Sequence, residues 1–339
     1  MEVQPTATAR MSKELLEKAK KQFDEISEVN YEKVMGLVKV CKREWRSILH
    51  KTPDDYGMTG WEDTYFPAED GVPLSGWYIP AKGGESDKLI IFNHALPMCR
   101  AGFQGHLGMP WAGFIDIEID FVIQMKHLTD AGYNILAYDL RNHGQSGAAN
   151  NSMSGIGQLE WRDCVAKKYV DAHPRLSKMK VALFNQCLGA ISQWVALDKH
   201  PELFENVKCF ASPLVPNMGH VYAAFAESQG IGNYMELLDF LLVREGGFTC
   251  DEMDPRKYSK NVTMPLLMWQ VERDSWVRNP KESSQSTFDS IPGDDKELVW
   301  VDSDNRFKDG YNWFGRTPEK ALAFLDKYMK AEEAQSAGK

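Results

Sequence analysis

VALFNQCLGAIS, residues 181–192, passes from an apolar run of strand character through Asn185-Gln186-Cys187-Leu188-Gly189 into a segment of helical character. A nucleophile on such a sharp strand-to-helix turn is held clear of the sheet, beside a helix N-terminus whose amide groups favour negative charge. Small residues have to flank it. The serine form of this turn is G-x-S-x-G; here Cys187 holds the centre, Gly189 keeps the second flank, and Asn185 replaces the first glycine. Asparagine is the residue next most tolerant of a tight bend.

Working outward, Lys88–Phe92, Asn134–Tyr138, Lys180–Phe184, Val207–Ala211, Pro265–Trp269 and Glu297–Val301 are short apolar runs separated mostly by helix-like stretches. Buried parallel strands with crossover helices read this way, which gives an α/β class. Residues 61–80 alternate apolar and polar around Asp70-Gly71, a hairpin signal. Leu15, Phe23, Ile26, Val34, Leu37, Val38, Trp45 and Ile48 recur at helical spacing among charges and predict two amphipathic helices within residues 12–50. Residues 215–262 exceed what one crossover needs. The expected organisation is a helical extension over 1–55, an α/β core over 56–214 and 263–330, a helical cap inserted at 215–262, and a polar, frayed tail over 331–339.

The chain has 339 residues, 43% of them hydrophobic, and a net charge of −9. One large core fits that length. The negative charge argues against nucleic acid and anionic membrane partners, both of which require a basic face. No apolar run approaches the ~20 residues of a membrane span, and the first 20 residues lack the apolar centre of a secretory signal, so a cytoplasmic location is expected. Cysteines 41, 99, 164, 187, 209 and 250 show no metal-type spacing and are read as free thiols. The acids at Asp116, Glu118 and Asp120 are read as first-turn charge opening a helix rather than a cation site. No metal and no cofactor are expected. The expected partner is a small-molecule substrate; a homodimer through the N-terminal helices stays open.

With the elbow, two further motifs carry a resemblance. Ile90-Ile91-Phe92-Asn93-His94-Ala95-Leu96-Pro97 resembles the His-Gly oxyanion loop after the third strand of α/β-hydrolases, with Ala95 where glycine is usual. Tyr138-Asp139-Leu140-Arg141-Asn142-His143-Gly144-Gln145-Ser146-Gly147 resembles the Asp-x-Arg-Gly-His-Gly-x-Ser turn after the fourth. The chain resembles that superfamily from the hairpin near 61 to the last helix near 330, and its Cys-Leu-Gly triplet is similar to the cysteine-elbow, dienelactone hydrolase-like branch. The resemblance implies an α/β-hydrolase fold, Cys187 as nucleophile, Asp274 as the acid after the penultimate strand, and an oxyanion hole from the N–H of Leu188 and that of Ala95 or Leu96. It gives His94 and His143 structural places in shared loops.

The third triad member departs from the pattern. Where the family carries a histidine after the last strand, Arg306 stands, and no histidine follows His220. Three accounts remain. Arg306, held by Asp274, and the helix terminus lower the thiol pKa from its usual value of about 8.5, so the thiolate needs no base. Alternatively, His220, directly after a strand at the entrance to the cap, takes over as base. Or the pocket serves binding or a base-independent reaction. Base assistance is worth about 10² to 10⁴ in rate, and cysteine is the nucleophile best able to do without it. Trp111, Phe114, Tyr222, Phe225, Tyr234 and Phe240 are candidates to line an apolar pocket under the cap, with His94 nearby. The function expected is attack by Cys187 on an ester, lactone, thioester or related carbonyl of a small apolar metabolite, a role suited to secondary metabolism. Cyclisation, carbon–carbon bond formation or cleavage, elimination, or non-catalytic binding are the alternatives.

Overall fold

The computed structural model describes residues 7–42 and 45–330. The polar tail expected over 331–339 lies outside the described residues. An eight-stranded sheet forms the centre, built from β1 (Glu62–Pro67), β2 (Pro73–Ile79), β3 (Lys88–Asn93), β6 (Asn134–Tyr138), β7 (Lys180–Asn185), β8 (Val207–Ala211), β9 (Leu266–Val271) and β10 (Lys296–Val301). Its spatial order is β1-β2-β6-β3-β7-β8-β9-β10. The hairpin β1–β2 and the pair β2–β6 are antiparallel; from β6 to β10 every pair is parallel. The six apolar runs read from the sequence are β3, β6, β7, β8, β9 and β10, each within a residue or two.

Strand geometry explains why these runs are apolar throughout. Successive side chains point to opposite faces, and helices cover both. Leu89 and Ile91 of β3 enter one core with Leu183 of β7, whereas Ile90 and Phe92 enter the other with Ala182 and Phe184. Every residue of β6 is buried as a result.

Between β8 and β9 stand two helices, Met218–Ser228 and Met235–Arg244. The second packs against the N-terminal helices Lys13–Glu25 and Glu28–Lys39, each of which is opened by a serine cap, Ser12 and Ser27. Helix ends at Lys39, so residues 45–50 are not helical as their spacing had suggested. They run along the β3 loop instead: Ser47 Oγ donates to the Pro97 carbonyl at 2.8 Å, and Cys99 Sγ donates to that of Ile48 at 3.2 Å.

The acidic segment also differs from its reading. Glu118–Asp120 is strand β5, paired antiparallel with β4 (Gly102–Gln104), and only Asp120 caps a helix, accepting from the Ile123 N–H. Lys51 supplies the reason, with its Nζ 2.7 Å from Glu118 and 2.5 Å from Asp120. A neutralised carboxylate pair no longer depends on a helix dipole.

Candidate active site

The C-terminal ends of parallel strands are where open α/β sheets bind ligands, and here β7, β8, β9 and the loop after β10 deliver their residues to one place. The elbow follows β7. Asn185 is the last residue of the strand, paired with Asn93, and the tight bend falls two residues later, at Cys187, with φ 49° and ψ −106°. Asn185 therefore supplies none of the conformational tolerance expected of it. A non-glycine residue held in such a region costs about 1–3 kcal/mol and persists only where its surroundings fix it. They do so here through three hydrogen bonds: Gln186 N–H to Asn93 carbonyl (3.1 Å), Cys187 N–H to Pro213 carbonyl (3.0 Å) and Gly189 N–H to His94 carbonyl (3.1 Å). Gly189 is needed for close approach, since a Cβ there would stand 2.6 Å from Asn93 Cβ.

Cys187 is followed at once by the helix Leu188–Lys199, so the Leu188 N–H is one of the donors that a helix start leaves without an intrahelical partner. Ala95 and Leu96 lie in the loop after β3 that the elbow grips through the His94 carbonyl. This is the neighbourhood in which a two-donor oxyanion hole would form.

Beyond β9 and β10, Asp274 and Arg306 form an ion pair at 2.5 Å, with side chains 0% and 5% exposed. The guanidinium uses its other donors on the Leu214 carbonyl (2.7 Å) and the Tyr311 hydroxyl (3.2 Å). Burial works against its charge, but Tyr311, Asp274 and Cys187 together outweigh that and hold it firmly protonated. Asp274 also accepts from the Trp276 N–H at 3.0 Å and from Gln270 Nε2 at 3.3 Å.

Arg306 and Tyr311 owe their proximity to a π-helical turn, Arg306–Tyr311, opened by Asn305, whose side chain accepts from the N–H groups of Phe307 and Lys308. A π turn closes from residue i to i+5, so residues 306 and 311 stack. Tyr311 and Cys187 line the same cleft. Burial, with the sulfur adding to it, raises the phenol well above its ordinary range against the opposing pull of Arg306.

These groups share a cleft of about 600 Å³ of empty space, part of it open to solvent. Cys187, Arg306 and Tyr311 provide its polar floor. Trp276 anchors an aromatic wall, with Phe307 at 4.6 Å, Phe225 at 4.8 Å and Phe114 at 5.5 Å between ring centroids. Val40, from the end of the N-terminal helices, and Tyr222, from the helix Met218–Ser228, complete one side. The Tyr222 hydroxyl is engaged with Cys41 Sγ at 2.9 Å.

Other candidate residues lie elsewhere. His220, half-buried, has its Nδ1 3.0 Å from the Arg278 carbonyl and does not line the cleft. His94 is fully buried, accepting the Leu140 N–H at Nε2 and lying 3.0 Å from the Ala95 carbonyl at Nδ1, so it braces the loop instead of facing a ligand. Trp111, Tyr234 and Phe240 pack against the two cores without reaching the cleft. The sequence reading missed Trp276, Phe307 and Tyr311, the last because nothing in the residue string announces a π turn.

Four of the other thiols differ physically from Cys187. Burial pushes Cys99, Cys164 and Cys250 up, and Cys209 to about 12, whereas the Cys187 sulfur opens on the cleft beside a fixed positive charge. Substoichiometric iodoacetamide at neutral pH is therefore expected to label Cys187 first. Peptide mapping that finds another cysteine labelled faster would contradict this.

No family model matches the chain. The uncharacterized protein YfhR of Escherichia coli (strain K12) is 26% identical over 141 residues, 40% of this chain and 43% of that protein; the match spans less than half of that curated relative's length. Among solved structures, the esterase Pf2001 of Pyrococcus furiosus is similar with a TM-score of 0.59 and 22% identity, over 84% of this chain and 97% of that one. Pyrococcus horikoshii acylaminoacyl peptidase gives 0.55 and 17%, over 83% and 44%. The α/β hydrolase GrgF from Penicillium sp. sh18 gives 0.53 and 15%, over 79% and 99%. Sheet order, the elbow after β7 and these neighbours agree: the chain has the α/β-hydrolase fold.

Proposed function

We propose that the chain is an esterase-like or acyl-transferring enzyme in which Cys187 attacks the carbonyl of an ester, lactone, thioester or related group on a small apolar metabolite. One observation carries this reading: the elbow cysteine is held at positive φ, facing an apolar cleft that also contains a buried, charge-paired arginine. A sulfur anion placed there is opposed by the guanidinium and by the helix start, and the oxyanion of the adduct meets the N–H groups of Leu188 and of Ala95 or Leu96. The aromatic wall suits an apolar acyl group.

A second reading keeps the nucleophile and changes the acceptor. A hydroxyl or carbon nucleophile of the substrate itself, held against the aromatic wall, would compete with water for the acyl group, giving cyclisation or condensation.

Incubation with p-nitrophenyl butyrate, followed by intact mass, tests the proposal. Wild type is expected to release p-nitrophenol and carry a butyryl adduct, and Cys187→Ala to show no adduct and a rate lower by at least about 10². Turnover equal in the two proteins would remove Cys187 as nucleophile. Neither adduct nor turnover in wild type would favour a binding protein.

A further inference from the structure

Building on the reading of Cys187 as nucleophile, we infer that Tyr311 is a catalytic residue that carries the protons a histidine carries in the usual triad. None of the eight histidines lines the cleft. Of the groups that do, Arg306 can donate hydrogen bonds but is never a base, and the Tyr222 hydroxyl is turned to Cys41. Among the described residues Tyr311 is left as the hydroxyl lining the cleft with Cys187.

The direction of the hydrogen bonds supports the role. Guanidinium nitrogens only donate, so in the Arg306 Nε to Tyr311 contact the phenol oxygen is the acceptor. Its own hydrogen is then left for a partner in the cleft that Tyr311 and Cys187 both line. A chain results in which Asp274 fixes Arg306, Arg306 orients Tyr311, and Tyr311 shares the cleft with the nucleophile. Burial resists proton loss from the phenol, and Arg306, whose Nε stands 3.2 Å from its oxygen, is the charge that stabilises the anion formed in passing. That is the stabilisation an aspartate gives an imidazolium, with both signs reversed.

Atoms balance through both halves of the reaction. The sulfur anion adds to the substrate carbonyl, forming an S–C bond while the π pair moves onto oxygen. Collapse reforms the carbonyl and breaks the bond to the leaving oxygen, which takes the Tyr311 proton. A tyrosinate remains, held by Arg306. An incoming hydroxyl, of water or of the substrate, then gives its proton to that tyrosinate as it adds to the thioester. The C–S bond breaks, and its electron pair returns to sulfur. Nothing is oxidised or reduced, and the protein ends as it began.

Tyr311→Phe with two butyrate esters tests the inference. A p-nitrophenolate leaves without needing a proton, so the variant is expected to keep the p-nitrophenol burst to within about threefold of wild type, which also certifies that the site is folded. Its steady turnover should fall by about 10² to 10⁴, the usual worth of proton transfer by a positioned side chain, and the butyryl adduct should accumulate. With ethyl butyrate, acylation itself should fall by a similar factor. Wild-type turnover of both esters by the variant would overturn the role of Tyr311 while leaving Cys187 as nucleophile, and so would loss of the p-nitrophenol burst with Cys187 still open to alkylation. A wild type with no Cys187-dependent burst would remove the nucleophile and this inference together. On wild type alone, acylation by ethyl butyrate should slow in deuterium oxide more than acylation by the nitrophenyl ester; equal solvent effects would also overturn the role.

Discussion

Arg306→Met is expected to destabilise the protein by about 3–5 kcal/mol, the usual result of removing one partner from a buried ion pair. The side chain it leaves behind decides the size. Asp274 is wholly buried, and without the guanidinium it keeps only the Trp276 N–H and the Gln270 amide as donors. The Leu214 carbonyl and the Tyr311 hydroxyl lose a donor as well. Urea unfolding should show a lower midpoint with little change in slope. Asp274→Asn combined with Arg306→Met should recover a large part of the loss, because the uncompensated charge has gone. A single variant that unfolds at the wild-type midpoint would mean the pair stabilises nothing. The same substitution is expected to abolish Cys187-dependent turnover, whereas His220→Ala, which removes a ring outside the cleft, should leave it nearly intact. The opposite ranking would restore a relocated histidine as base.

Gly189→Ala tests the elbow from its second flank. The new Cβ would meet Asn93 Cβ at 2.6 Å and the His94 carbonyl at 3.0 Å. Both belong to β3 and the loop that follows it, so no flexible chain end can yield. Overpacking of this kind costs about 1–3 kcal/mol. Its effect on rate should be larger in proportion, because relief comes only by moving the helix Leu188–Lys199 away from the β3 loop. That separates the Leu188 N–H from the donor at Ala95 or Leu96, and losing one oxyanion donor is worth about 10² to 10³ in rate. Ester kinetics beside thermal unfolding would show both. Unchanged turnover in a destabilised variant would mean that the two donors do not act as a pair.

The regular part of this architecture is written in the sequence because burial on both faces of a parallel sheet demands continuous apolar runs, and the chain has them at β3, β6, β7, β8, β9 and β10. The elbow was legible for a similar reason: Cys187 and Gly189 fill positions with narrow steric requirements. Other features depend on partners far away in the chain. Glu118 and Asp120 read as helix-start charge until Lys51 is brought against them. Asn185 looked like the bend, yet the bend is two residues on, where tertiary hydrogen bonds hold a cysteine in a conformation its own preferences resist. Arg306 could be counted to its place after the last strand. Tyr311 could not, because an α turn from Arg306 would have pointed residue 310 toward it.

The order of these parts along the chain has a consequence for how the protein is made. Cys187 leaves the ribosome well before Arg306 and Tyr311, which follow it by 119 and 124 residues. A growing polypeptide thus presents its sulfur with neither counter-ion nor phenol beside it. Only when β10 has docked and the turn after it has closed does the thiol acquire those surroundings.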